Sequence, residues 1–254
     1  MSPKEHPYRP EIDGLRMIAV VAVVLYHFGM PGLSGGFAGV DVFFVISGYL
    51  IGGILWRETR ATGRISLARF YIRRVKRLAP AFFAMTLAAS VIAWLVLLPF
   101  EFREYGKSLI AATVYLSNVL FFRGAGYFDT AAETKVLLHT WSLSVEEQFY
   151  IFLPLALLLL ARWPRVFVGT LWLCFAVSLV ASVWFTPSHQ TATFYLFPFR
   201  AWELLAGVLL AIWSYGRAPF RAGAWISWLG LGLVIASLIF IGAARRFPGW
   251  QVIF

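Results

Sequence analysis

Arg16 and His27 stand with ten residues between them in the stretch RPEIDGLRMIAVVAVVLYHFG, residues 9–29. A charged segment runs into an apolar one there, with Arg16 at the entry and His27 near the far end. At about 1.5 Å per helical residue the two lie roughly 16 Å apart along the axis, about half of a bilayer's hydrocarbon core. Ionisable groups in such a run are costly in lipid and mark functional positions. The plainer alternative has Arg16 snorkelling to the headgroups and His27 closing the helix. Imidazole titrates near neutral pH, so His27 suits proton abstraction. Asp41 begins the next apolar run after a short turn and is a candidate to orient that ring. Its alternative is a satisfied carboxylate at a helix start.

Three further groups carry chemistry. Arg73, Arg74, Lys76 and Arg77 form a dense cationic patch in FYIRRVKRLAPA. Arg74 and Arg77 share a helix face at i, i+3, and guanidinium groups grip phosphate well. The same patch would also attract anionic lipid. Glu146 and Glu147 open an apolar run beside His139 and Trp141, where dipole capping is the competing explanation. Arg200 and Glu203, at i, i+3 in FPFRAWELLAG, read as an internal ion pair facing a cavity. No Gly-rich phosphate loop follows a strand, and neither HExxH nor GxSxG occurs. No metal site and no bound cofactor are expected. Cys174 is the single cysteine, so no intrachain disulfide can form.

The elements that must position these groups are membrane helices. The 254 residues are 60% hydrophobic and 13% charged, far more apolar than a soluble domain. Spans are expected over about 12–30, 37–56, 79–99, 144–161, 166–186, 196–215 and 222–242, an all-α polytopic transmembrane bundle of seven or eight spans. Residues 57–77 hold eight Lys/Arg against one acid, Glu58, which accounts for +7 of the net charge of +10. That loop reads as cytoplasmic, and the N-terminus with it. Its second half reads as an amphipathic helix in the membrane interface. Binding of nucleic acid is not expected, because the remaining surface is mostly hydrocarbon-facing. Residues 107–122 are short for a span and are expected to be re-entrant or to lie in the outer interface. On this topology His27, Asp41, His139, Trp141, Glu146, Glu147, Arg200 and Glu203 lie toward the outer face. Arg16, Arg73, Arg74 and Arg77 lie toward the cytoplasm. The chain stops on PGWQVIF without a polar tail, as a fragment of a longer membrane protein would.

The segments PEIDGLRMIAVVAVVLYHFG, GGFAGVDVFFVISGYLIGG, FYIRRVKRLAPA, LLHTWSLSVEEQFY and RAWELLAG occur in that order. Together they resemble the acyltransferase-3 family of integral membrane O-acyltransferases, in particular its bacterial branch that modifies surface polysaccharides and peptidoglycan. The resemblance spans residues 8–254, with 1–7 as a cytoplasmic tail, and implies that the last helices of the membrane domain are missing. It implies an enzyme of the bacterial inner membrane that moves an acyl group, commonly acetyl, from cytoplasmic acyl-CoA to a glycan hydroxyl. O-antigen, exopolysaccharide and peptidoglycan are the candidate acceptors, with a lipid-linked form among them. The family's Arg-x10-His pattern falls on Arg16 and His27, and its Arg-x-x-Arg pattern on Arg74 and Arg77. His27 and Asp41 are the catalytic candidates. Arg16, Arg73, Arg74 and Arg77 are the candidates for binding acyl-CoA. Trp141, Glu146, Glu147, Arg200 and Glu203 are candidates for the acceptor or for orienting His27. An SGNH-type domain, fused or separate, is an expected partner outside these residues, and membrane lipid is the other. The rival reading is a non-catalytic transporter or flippase for a lipid-linked glycan, which intramembrane charges would also serve; the absence of a visible inverted repeat weighs against it.

Overall fold

The computed structural model describes residues 9–125, 135–217, 224–242 and 248. The tail 1–7, the end 249–254 and most of the segment 125–135 lie outside them. Among the described residues the regular structure is helical and no strand occurs, as the all-α reading expects.

Helix α1 covers Pro10–His27, with proline at its first position and Glu11 and Asp13 in its first turn. Both features suit a helix start, since proline gives up no needed N–H and the acids face the positive end of the dipole. A 3₁₀ turn, Gly36–Ala38, leads into α2, Gly39–Thr62. Gly63 ends α2 at φ +67°, and its N–H bonds the Thr59 carbonyl. Helix α3 then runs unbroken over Leu67–Val96, starting where the Ser66 side chain accepts from the Arg69 N–H. Thirty residues make a rod of about 45 Å. The interfacial helix and the third span expected from sequence are therefore one helix, with Pro80 inside it.

Residues 107–122 are covered by two pieces, α4 (Pro99–Thr113) and α5 (Ser117–Gly124). The break falls at Tyr115, which has φ 56°. Neither piece is long enough to cross a bilayer alone. There follow α6 (Thr140–Leu160), α7 (Pro164–Phe185), α8 (Gln190–Tyr195), α9 (Phe197–Ser214) and α10 (Ala224–Phe240).

Five stretches among the described residues are long and apolar enough to cross a membrane: Gly36–Thr62, Leu67–Val96, Thr140–Leu160, Pro164–Phe185 and Gln190–Ser214. The sequence expectation of seven or eight also counted α1 and α10. Helix α1 carries Glu11, Asp13 and Arg16 in its first half, and the apolar part of α10 is short, Trp225–Phe240.

The bundle is built around α2 against α9. At Gly48 an added Cβ would collide with the Leu204 carbonyl, and at Gly207 with the Val45 carbonyl, so only glycine lets the two backbones approach this closely. Phe44, Leu55, Val145, Tyr150, Leu204 and Val208 fill the core around them. Helices α3 and α7 instead turn large side chains outward, among them Leu87, Trp94, Leu95, Leu173, Val177 and Trp184. Such apolar outer faces fit contact with lipid.

Candidate active site

His27 sits in the last turn of α1 and is exposed. Its Nδ1 lies 2.8 Å from the Val23 carbonyl oxygen, one helical turn back. A carbonyl only accepts, so in the neutral ring Nδ1 carries the proton and Nε2 the lone pair. Tyr26 packs edge-on to the ring at 5.3 Å. The backbone thus fixes the tautomer of a potential base with no carboxylate involved.

Asp41 does not take the orienting position expected of it. Its Oδ1 lies 2.6 Å from the Arg200 guanidinium, whose other terminal nitrogen lies 3.1 Å from Glu203 Oε1. The expected Arg200–Glu203 pair is present and extends across the α2–α9 interface to Asp41. The Arg200 and Glu203 side chains are 1% and 0% exposed. The rings of Phe44, Trp141 and Phe194 surround the guanidinium at 5.6–5.9 Å. Trp141 is itself buried, with Phe194 4.7 Å away. It closes this ionic cluster instead of presenting an open face to a sugar.

A second cluster joins α3 to α6. Arg74 is 2.7 Å from Glu147 Oε1, and its guanidinium stacks 3.8 Å from the centre of the Tyr150 ring. The Tyr150 hydroxyl donates to Glu146 Oε1 at 2.8 Å, and Ser47 of α2 faces the same carboxylate. Tyr71 donates to the Tyr150 carbonyl at 3.1 Å. This arrangement corrects two expectations. Arg74 and Glu147 do not lie toward opposite faces; they meet at one depth. Arg74 also does not stand beside Arg77 as an open phosphate clamp, because Glu147 and Tyr150 already engage it. Arg73 and Arg77 remain exposed on α3, with Glu58 3.9 Å from Arg73. Arg16 lies 3.5 Å from Asp13 and its guanidinium is 5.9 Å from the Phe43 ring.

Two participants, Tyr150 and Ser47, were not among the expected site residues. Tyr150 lies four residues after Glu146, a helical spacing that would have signalled the bond. Ser47 lies on α2, far from Glu146 in sequence, so no spacing links the two. His139 precedes α6, and surrounding protein holds its imidazole below the ordinary value, with the nearby His27 adding a smaller effect in the same direction. Among the described residues no three His, Cys, Asp or Glu side chains converge as a metal site would require.

The fold and these groups define a class: a helical membrane protein with ionic clusters inside the bundle and an exposed imidazole ending its first helix. Comparison with known proteins narrows that class. Residues 9–253 match the family described as an acyltransferase domain. Over 244 residues the chain is 35% identical to the peptidoglycan O-acetyltransferase OatA of Listeria monocytogenes, covering 92% of this chain and 39% of that protein. Over 213 residues it is 39% identical to the O-acetyltransferase OatA of Staphylococcus aureus strain NCTC 8325, covering 81% of this chain and 35% of the relative. A putative O-acetyltransferase of S. aureus strain MSSA476 is 38% identical over 225 residues, 86% of this chain and 36% of its own length. The chain thus spans well under half the length of these relatives. No solved structure gives a significant match. The chain belongs to the acyltransferase-3 family, and its matched region is an acyltransferase domain.

Proposed function

We propose that this domain transfers an acyl group, acetyl in the first instance, from acyl-CoA on the cytoplasmic side to a hydroxyl of a cell-surface glycan of the peptidoglycan class. The observation that carries the reading is His27: an exposed imidazole whose Nδ1–H is committed to the Val23 carbonyl, leaving Nε2 to act as the base. The similarity to O-acetyltransferases supports the acetyl group and the glycan acceptor.

In this mechanism Nε2 takes the proton from the acceptor hydroxyl as its oxygen attacks the thioester carbonyl. The new ester C–O bond forms and the C–S bond breaks. The proton held on His27 then passes to the departing thiolate, so CoA leaves as a thiol and the imidazole returns to its starting state. Arg73 and Arg77, exposed on α3, and Arg16 at the entry of α1 are the cations for the CoA phosphates. Arg74 acts through Glu147, fixing α3 against α6, and is a positioning residue. The pantetheine arm reaches between α1, α2 and α3 to bring the thioester toward His27. The cationic end of the bundle, residues 57–77, faces the cytoplasm of the bacterial inner membrane.

The test uses the complete gene product in inside-out membrane vesicles given acetyl-labelled acetyl-CoA. Base-labile label appearing in the glycan fraction is the expected result. Label that enters glycan only when a different acyl donor is supplied would overturn the assignment of acyl-CoA. Glycan that moves across the membrane without acquiring label would favour a transporter.

A further inference from the structure

Where α2 and α6 end and α7 begins, the bundle holds a cavity of about 240 Å³. Its inner wall is apolar and buried: Trp56, Leu157 and Phe167 are 8%, 2% and 2% exposed. Its rim carries the exposed Arg60, whose guanidinium lies 5.8 Å from the centre of the Trp56 ring. The flanking loops add Arg64 and Arg162, and the first turn of α7 adds Arg165, all exposed, and residues 157–167 contain no acid. Glu58, the one acid in the basic loop, is already engaged: it lies near Arg73 and accepts from the Ser66 N–H. Just outside the cavity Leu158, Leu159, Trp163 and Val166 face outward. The cavity therefore sits where hydrocarbon-facing surface meets a cationic rim.

Its shape selects the occupant. The Trp56 and Phe167 rings already stack on each other, 5.8 Å between centres and 13° from parallel, so no planar base fits between them. The volume is below the roughly 300–1,000 Å³ of pockets that enclose drug-sized ligands. A flexible chain segment lying on the apolar wall, with its phosphate at Arg60, satisfies both halves of the site. We infer that this cavity is a specific binding site for an anionic phospholipid, with part of one acyl chain inside it and the phosphate held by Arg60 and the cations of the two flanking loops. Its residues are separate from His27 and from both ionic clusters.

The test is native mass spectrometry of the full-length protein released from detergent, titrated with phosphatidylglycerol or with phosphatidylcholine. One phosphatidylglycerol bound in preference to phosphatidylcholine is the expected result. Arg60→Gln should weaken that binding about five-fold, the share of one cation near a membrane surface. Ala161→Trp, which fills the cavity, should abolish the tight site while the protein stays folded by its thermal midpoint. Arg123→Gln, an exposed arginine elsewhere, should change nothing. Equal binding of the two lipids, tight binding retained in Ala161→Trp, or an equal loss in Arg123→Gln would overturn the proposal. Displacement of the lipid by coenzyme A or inorganic phosphate would overturn it in favour of a soluble phosphate ligand.

Discussion

Arg200 and Arg74 are both arginines drawn into the bundle by carboxylates, but their surroundings differ. Arg200 meets two acids, Asp41 and Glu203, and is ringed by Phe44, Trp141 and Phe194 with 1% of its side chain exposed. Arg74 meets one, Glu147, lies on the Tyr150 ring and retains 13% exposure. The first cluster sits at the glycine-lined contact of α2 and α9 and pins that interface. The second links α3 to α6 three residues from the exposed Arg77. The first is a sealed structural lock and the second a brace beside the exposed cations of α3.

Substitution should separate the two. Arg200→Met strands two buried carboxylates, a class of change that costs about 3–5 kcal/mol. The protein should fail to accumulate or lose its thermal transition in detergent. Arg74→Met strands one acid that keeps some solvent contact, so it should cost less stability while depressing activity. A greater loss of folding in Arg74→Met than in Arg200→Met would reverse the assignment. Gly48→Ala probes the sealed region without touching charge. Its methyl would meet the Leu204 carbonyl, a backbone atom that cannot swing aside, so about 1–3 kcal/mol of overpacking is expected in denaturation. Gly106→Ala, where a Cβ meets nothing within 4 Å, should be neutral or stabilising.

The smallest effect concerns His139. His139 keeps an exposed edge; partial desolvation by the protein around it is the larger cause of its lowered value and His27 the smaller. His27→Gln removes the second cause alone, so the His139 midpoint should move up yet stay below the ordinary histidine value. Reactivity toward diethylpyrocarbonate against pH would follow it. The sign also sets a stability trend. A histidine depressed in the folded state favours folding above its unfolded value and loses that contribution as pH falls through its folded one. His139→Gln should therefore blunt the loss of stability toward acid pH.

Much of this was legible in the residues. Apolar content marked a membrane bundle, and the i, i+3 spacing of Arg200 and Glu203 marked an ion pair. Their third partner, Asp41, lies far away in sequence on α2, and only the packing of α2 on α9 brings it in. The Arg74–Glu147 pair was hidden for a different reason. Charge bias between loops sorted the arginine to one face and the acid to the other, whereas pairing inside the bundle holds both at one depth. The boundary expected before Pro80 did not materialise, because neighbouring groups in a membrane helix can accommodate a proline. His27 needed no structure to be singled out, but its Val23 partner did.

The central claim is that His27 is the base, and its most direct test is acetyl transfer to glycan by the complete protein, wild type against His27→Ala at matched level in native membranes. His27 is exposed and ends its helix, so the fold should survive and thermal midpoints should agree. Loss of a general base should lower the rate by about 10²–10⁴-fold. A variant that keeps more than about half of the wild-type rate would contradict it.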